Sequence, residues 1–314
     1  MNASIKKIIY GLLSIVLIIY ISVSCFGYKQ IVLINTHQGN SSLEKEIKSK
    51  TFDTKLLSEC KQENFKVHSL FGYDLQGTYI EAPTDSLGLT VVLVHGIKSD
   101  RWKMMRYAQI YLKHGIDVLL YDQRKHGLSG GSQESYGYFE SQDLEQIVQW
   151  VKKRKPKDMI AAHGESLGGA TVCMHSGINE STHSVSFYIS DCAYSDTPEL
   201  LTMRAKKDFG VPDLGFITTT SFLAKINAGF FFSDVMPIEA VTISKVPILF
   251  IHGDKDNYIP KEMSIEMYNA KQNGEKYLWL VANAVHANSI TVAPKVYETK
   301  VMNYVNTIVS QLAE

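Results

Sequence analysis

From Lys66 to the C-terminus, short apolar runs alternate with stretches whose apolar residues recur at helical spacing, an arrangement that few folds accommodate. "KVHSLF" and "GTYIEA" read as a pair of strands. "TVVLVHG" (90–96), "IDVLLYD" (116–122), "DMIAAHG" (158–164), "HSVSFYISD" (183–191), "VPILFIHG" (246–253) and "KYLWLV" (276–281) read as further, buried strands. Helix signals lie between them. Ser99–His114 ends at Gly115; Leu144, Ile147, Val148 and Val151 share one face; Val301, Tyr304, Val305, Ile308 and Leu312 share another. Apolar strands alternating with amphipathic helices predict an α/β domain: a mostly parallel sheet with helices on both faces. The alternation breaks between about residues 195 and 244, where Phe209, Phe216, Phe222 and Phe230–Phe232 occur. That segment is too long for an ordinary connection and predicts an inserted helical cap.

Upstream the chain has a different character. Ile8–Phe26 is a run of 19 residues without a charge, preceded by Lys6 and Lys7 and followed by Lys29. As a helix it would measure roughly 28 Å, about the thickness of a bilayer core. The two leading lysines favour an N-terminus inside and the bulk of the chain on the outer side of the membrane. A removable signal peptide is the alternative, with Ser22 and Ser24 as small residues before Cys25. The predicted organisation is therefore residues 1–34 as membrane anchor or signal segment, 35–65 as stalk or linker, and 66–314 as the α/β domain. Within the linker, Ser41 and Glu44 form a potential capping box or mark a short surface helix.

Lysine plus arginine and aspartate plus glutamate are equal at 32 each, so nothing in the overall charge points to a nucleic-acid partner. The four cysteines are scattered and lack metal-ligand spacing. Cys173 and Cys192 read as buried small hydrophobes.

Two stretches, "GLSGG" (127–131) and "GESLGG" (164–169), contain Gly-x-Ser-x-Gly. A nucleophile elbow needs strand, sharp turn and helix in immediate succession. Ser166 has them: "MIAAHGE" runs into it and "LGGATVCMH" leaves it as a helix. Ser129 lies seven residues beyond the end of its strand and is followed by turn composition.

A serine hydroxyl needs a base, and the base needs an orienting acid. In this chain order both come later, each just after a late strand. "FIHGDKDNYIP" offers Asp254 and Asp256, and "LVANAVHANS" offers His286. Oxyanion donors are expected from the N–H of Leu167, after the nucleophile, and of Ile97, after "VVLVHG".

On "VVLVHG", "DQRKHGLSGG", "GESLGG", "HGDKDNYIP" and "VHANS", the chain from about Lys66 onward resembles the α/β-hydrolase superfamily. Within it the chain is similar to the bacterial serine esterase and aminopeptidase-like branch, whose members often carry an N-terminal membrane anchor. The resemblance implies Asp256 as the acid, three residues after the glycine of the last His-Gly. It also implies structural roles for Asp122 and Arg124, and no cofactor or metal. His95, His126, His163 and His252 read as local hydrogen-bonding partners. The expected function is hydrolysis of a carboxylic ester or related acyl bond, with a small-molecule or lipid-like acyl substrate. The cap phenylalanines suggest an apolar acyl or leaving group, or else only glue cap to core. The alternatives are an aminopeptidase, which needs a carboxylate such as Glu199 or Asp234 to hold an ammonium group, and a non-catalytic binding protein on the same fold.

Overall fold

Strands covered on both faces must be largely apolar, and the residues of one strand must divide between two cores. Both conditions hold in the computed structural model, which describes residues 3–34, 36, 42–84, 88–212 and 214–313. The strands are β1 Lys61–His68, β2 Asp74–Glu81, β3 Leu89–Val94, β4 Asp117–Tyr121, β5 Met159–Glu165, β6 Phe187–Asp191, β7 Ile248–Gly253 and β8 Lys276–Val281. They form one sheet in the order β1-β2-β4-β3-β5-β6-β7-β8. β2 is antiparallel to both neighbours, and β4 through β8 run parallel.

Val92 and Val94 of β3 join the core formed with helices Tyr138–Arg154 and Leu167–Thr182. Val91 and Leu93 join the opposite core, with helices Met105–Lys113 and Pro294–Ala313. The parallel strands send their C-terminal ends to one edge, where ligands bind in open α/β sheets. Among the described residues, three α-helices, Thr197–Phe209, Phe216–Ala228 and Pro237–Ile243, and a short 3-10 turn, Phe232–Asp234, lie between β6 and β7.

Residues 42–65 depart from the expected stalk. Helices Ser42–Ser49 and Thr54–Glu59 lead directly into β1. Phe52, Leu57 and Cys60 are buried in one core and Phe65 in the other. The strand begins at Lys61 rather than Lys66. Its burial alternates about Phe65, but only Phe65 and Val67 on that face are apolar, so the period-two signal is confined to its C-terminal half. Of the expected capping pair, Ser41 lies outside the described residues, and Glu44 stands in the first turn of Ser42–Ser49.

The N-terminal helix runs Ala3–Ile31, and its side chains are exposed as far as Ile19. From Tyr20 it lies along the helix Phe216–Ala228. The Tyr20 ring stacks on Phe216 at 4.5 Å, and Thr220 Oγ1 donates to the Ser24 carbonyl at 3.3 Å. The Val32 carbonyl then accepts from Glu134 N at 2.9 Å and Lys125 Nζ at 3.0 Å, tying the helix end to the α/β body.

Candidate active site

β5 ends at Glu165 and a helix starts at Leu167, which leaves Ser166 alone to make the turn. It does so with φ 57° and ψ −115°, a strained conformation for a residue with a Cβ. Its N–H is held by the Asp191 carbonyl at 2.8 Å. The flanking glycines answer to close approach: a Cβ at Gly164 would strike the Gly168 carbonyl, and one at Gly168 the Val94 carbonyl of β3. Gly168→Ala is therefore expected to destabilise the fold by about 3 kcal/mol or more. Thermal unfolding of the detergent-solubilised full chain reads this, and an unchanged midpoint would contradict the packing.

β7 and β8 are parallel neighbours on the same side of the sheet, and the loops after them carry Asp256 and His286. Ser166 Oγ lies 2.9 Å from His286 Nε2, and His286 Nδ1 lies 2.7 Å from Asp256 Oδ2. Because a carboxylate only accepts, Nδ1 carries the proton and Nε2 faces the serine as an acceptor. Asp256 Oδ1 accepts from the N–H groups of Tyr258 at 2.9 Å and Ile259 at 3.0 Å. Burial pushes its pKa up. Hydrogen bonds from His252 and His286 outweigh that and hold the carboxyl well below the usual carboxylate range.

Asp254 points elsewhere, accepting from Asn283 N at 2.6 Å. Ser129 is buried, donating to the Asp122 carbonyl at 2.6 Å and accepting from Gln76 N at 2.8 Å, so it serves as a loop tie. Asp122 ties loops as well, pairing with Arg101 and accepting from Leu128 N at 2.9 Å.

Leu167 opens its helix, so its N–H is among those an α-helix leaves without an intrahelical partner. Ile97 sits in the loop after β3. There Lys98 takes φ 56° and its N–H donates to His126 Nε2 at 3.1 Å, pinning the turn. His95 braces the same loop, with Nε2 accepting from Gln123 N at 3.0 Å.

Gly96, Ile97, Ser166 and His286 open on a cavity of about 530 Å³ whose lining also includes the charged Lys45, Asp100 and Lys103. A second cavity of about 240 Å³, walled largely by apolar side chains, adjoins it at Ile97, Lys98 and Tyr258. Glu199 and Asp234 line neither. Phe209 and Phe216 line the second cavity, whereas Phe230 and Phe232 are buried as glue between cap and core.

Residues 87–192 match the family model described as serine aminopeptidase, S33. The uncharacterized protein YqkD of Bacillus subtilis is 32% identical over 243 residues, covering 77% of this chain and 78% of that protein. The Pyrococcus furiosus esterase Pf2001 superposes with a TM-score of 0.66 at 24% identity, over 82% of this chain and 94% of its own. The acylaminoacyl peptidase of Pyrococcus horikoshii gives a TM-score of 0.60 at 17% identity, over 81% of this chain and 42% of its own.

The chain belongs to the α/β-hydrolase superfamily.

Several residues of this α/β hydrolase that shape the site escaped the sequence reading. Glu165, directly before Ser166, is buried against Arg106 and accepts from Tyr107 OH at 2.5 Å. Arg106 Nη2 also donates to the Ala287 carbonyl at 3.2 Å, so one guanidinium joins the elbow to the histidine loop. His252, by contrast, is the local hydrogen-bonding partner the sequence suggests, with Nε2 bonding Ile259 O at 3.0 Å and Asp256 at 3.2 Å while Ser264 donates to its Nδ1 at 2.7 Å. Tyr258 packs on the His286 ring at 4.9 Å between centroids. A buried arginine on an otherwise apolar helix face was the one available hint of the Arg106 lock.

Cys192, Asp256 and His286 present potential metal-ligand atoms within 4.8 Å of one another. Burial pushes the Cys192 thiol well up, keeping it protonated, and Asp256 and His286 are engaged with each other. The donor set therefore fits a hydrogen-bonded pair better than a cation.

Proposed function

We propose that this hydrolase cleaves a carboxylic ester or related acyl bond by nucleophilic catalysis at Ser166. The observation that carries the reading is the unbroken line from Ser166 Oγ to His286 Nε2 at 2.9 Å and from His286 Nδ1 to Asp256 at 2.7 Å. Ser166 Oγ attacks the acyl carbon as its proton passes to His286 Nε2. The Ile97 and Leu167 N–H groups stabilise the resulting oxyanion. Collapse expels the alcohol, which takes the proton from His286 and leaves an acyl-enzyme. Water then adds with His286 again as base, releasing the carboxylic acid and restoring the serine. Asp256 fixes the imidazole tautomer throughout.

Glu199 and Asp234, the carboxylates named for holding an ammonium, line neither cavity, whereas Glu46 and Asp100 line the larger one, so comparing an aminoacyl amide with a simple ester is the assay that separates peptide from ester cleavage. Residues 1–34 are proposed as an uncleaved anchor, N-terminus inside, with the catalytic domain outside the membrane. The helix Ala3–Ile31 is long and apolar enough for a single span.

A fluorophosphonate probe tests the nucleophile on the full chain in detergent. Wild type and Ser129→Ala are expected to label equally, and Ser166→Ala not at all. No labelling of folded wild type would instead favour a binding role on this fold.

A further inference from the structure

The smaller cavity is walled by Phe26, Gly27 and Ile31 of the N-terminal helix on one side and by Leu201 and Ile217 of the cap on the other, and Ile97 closes its inner end. The N-terminal helix is thus part of the cavity wall. The cavity's charged lining residues are Lys98, Arg204 and Asp208, and the last two neutralise each other through three hydrogen bonds of 2.6, 2.7 and 3.0 Å, so the wall is otherwise mostly apolar. The same helix is continuous from the exposed apolar stretch that ends at Ile19. Val23, the lining residue nearest that stretch, stands about 6 Å further along the axis.

We infer that the C-terminal part of the N-terminal helix forms one wall of the acyl-chain pocket, through which the enzyme takes single medium-length acyl chains at the membrane surface. The inference rests on Ser166 being the nucleophile. A carbonyl held at Ile97 N–H would direct its chain past Ile97 and Tyr258 into the smaller cavity, since both residues border both cavities. The alcohol half would then lie in the larger cavity beside Lys45 and Lys103. A volume of about 240 Å³ holds a chain of roughly eight methylene-sized groups, at about 30 Å³ each as for water in the liquid. Removal of the helix as a signal segment would strip away this wall, so the pocket requires the helix to be retained.

The test uses the full chain in phospholipid nanodiscs with p-nitrophenyl esters from acetate to dodecanoate. For wild type, kcat/KM is expected to rise about two- to fourfold per methylene up to roughly eight carbons and then level off. Val23→Trp on the helix and Ile217→Trp on the cap each fill the cavity, and each is expected to lower the octanoate-to-acetate ratio about tenfold or more. Leu17→Trp, on the exposed stretch, is expected to keep the wild-type ratio. A flat chain-length profile, or a ratio unmoved in both filled variants, overturns the inference while leaving the esterase reading intact. Wild type inactive on every ester overturns the esterase reading, and the inference with it.

Discussion

Ser166→Ala is expected to lower kcat on a p-nitrophenyl ester by about 10⁶-fold, with circular dichroism and thermal midpoint close to wild type. The side chain is small and sits in a turn made by the backbone, so its loss removes the nucleophile without disturbing the Asp191 contact to its N–H. His286→Ala is expected to fall nearly as far, because a serine 2.9 Å from nothing basic keeps its proton as it attacks. The double substitution should cost little beyond either single one. The two residues act as a unit, and their effects on the barrier do not add. Steady-state hydrolysis of the three variants checks this. A Ser166→Ala enzyme retaining a tenth of wild-type activity would move the nucleophile elsewhere.

Asp256→Asn is expected to lower kcat by about 10⁴-fold while leaving KM within a few fold. The amide oxygen is drawn to the Tyr258 and Ile259 N–H groups that now bond Oδ1. Its NH₂ group is thereby turned toward His286 Nδ1. A donor there forces Nδ1 to accept, the imidazole proton moves to Nε2, and the ring no longer has a lone pair to offer the serine. Asp254→Asn, by contrast, keeps an oxygen for the Asn283 N–H and is expected to change kcat by less than about tenfold. Assaying the two variants side by side on one ester separates the two aspartates. Equal losses would mean that Asp256 acts only by holding its loop.

Loss of the Asp256 charge also has a consequence for acid stability. Its carboxyl is more acidic in the folded protein than in the unfolded chain. It therefore contributes stability above the unfolded pKa of about 3.9, and that contribution is lost as pH falls through the lower, folded value. The wild-type advantage in thermal midpoint over Asp256→Asn should accordingly shrink as pH is lowered from 6 toward 3.

The elbow was legible because everything that makes it is local. A buried strand, one residue in a forced turn, glycines on either side and an immediate helix occupy one short stretch of chain. The late acid and histidine were legible because in a parallel sheet each strand delivers the loop after it to the same edge, so position after a strand predicts position in space. Choosing Asp256 over Asp254 from the residues alone was not possible. Both belong to one turn, and only the backbone path decides which carboxylate faces the histidine.

Other features left no such trace. The edge strand β1 and the segment before it bury Phe52, Leu57 and Phe65 among mostly polar and charged neighbours, so residues 42–65 read as a linker. The Arg106 link from Glu165 to the Ala287 carbonyl joins residues 59 and 181 positions apart. The apolar span from Ile8 to Phe26 announced itself through length and lack of charge. Its use as a pocket wall depends on packing against a cap helix nearly 200 residues away, as the Tyr20–Leu214 separation of 194 illustrates. Local chain chemistry determined the succession of strands and helices, the turn at Ser166 and the kinds of side chain available. Folding decided their partners, because contacts made across the sheet and cap depend on which surfaces meet, and no short stretch of sequence carries that information.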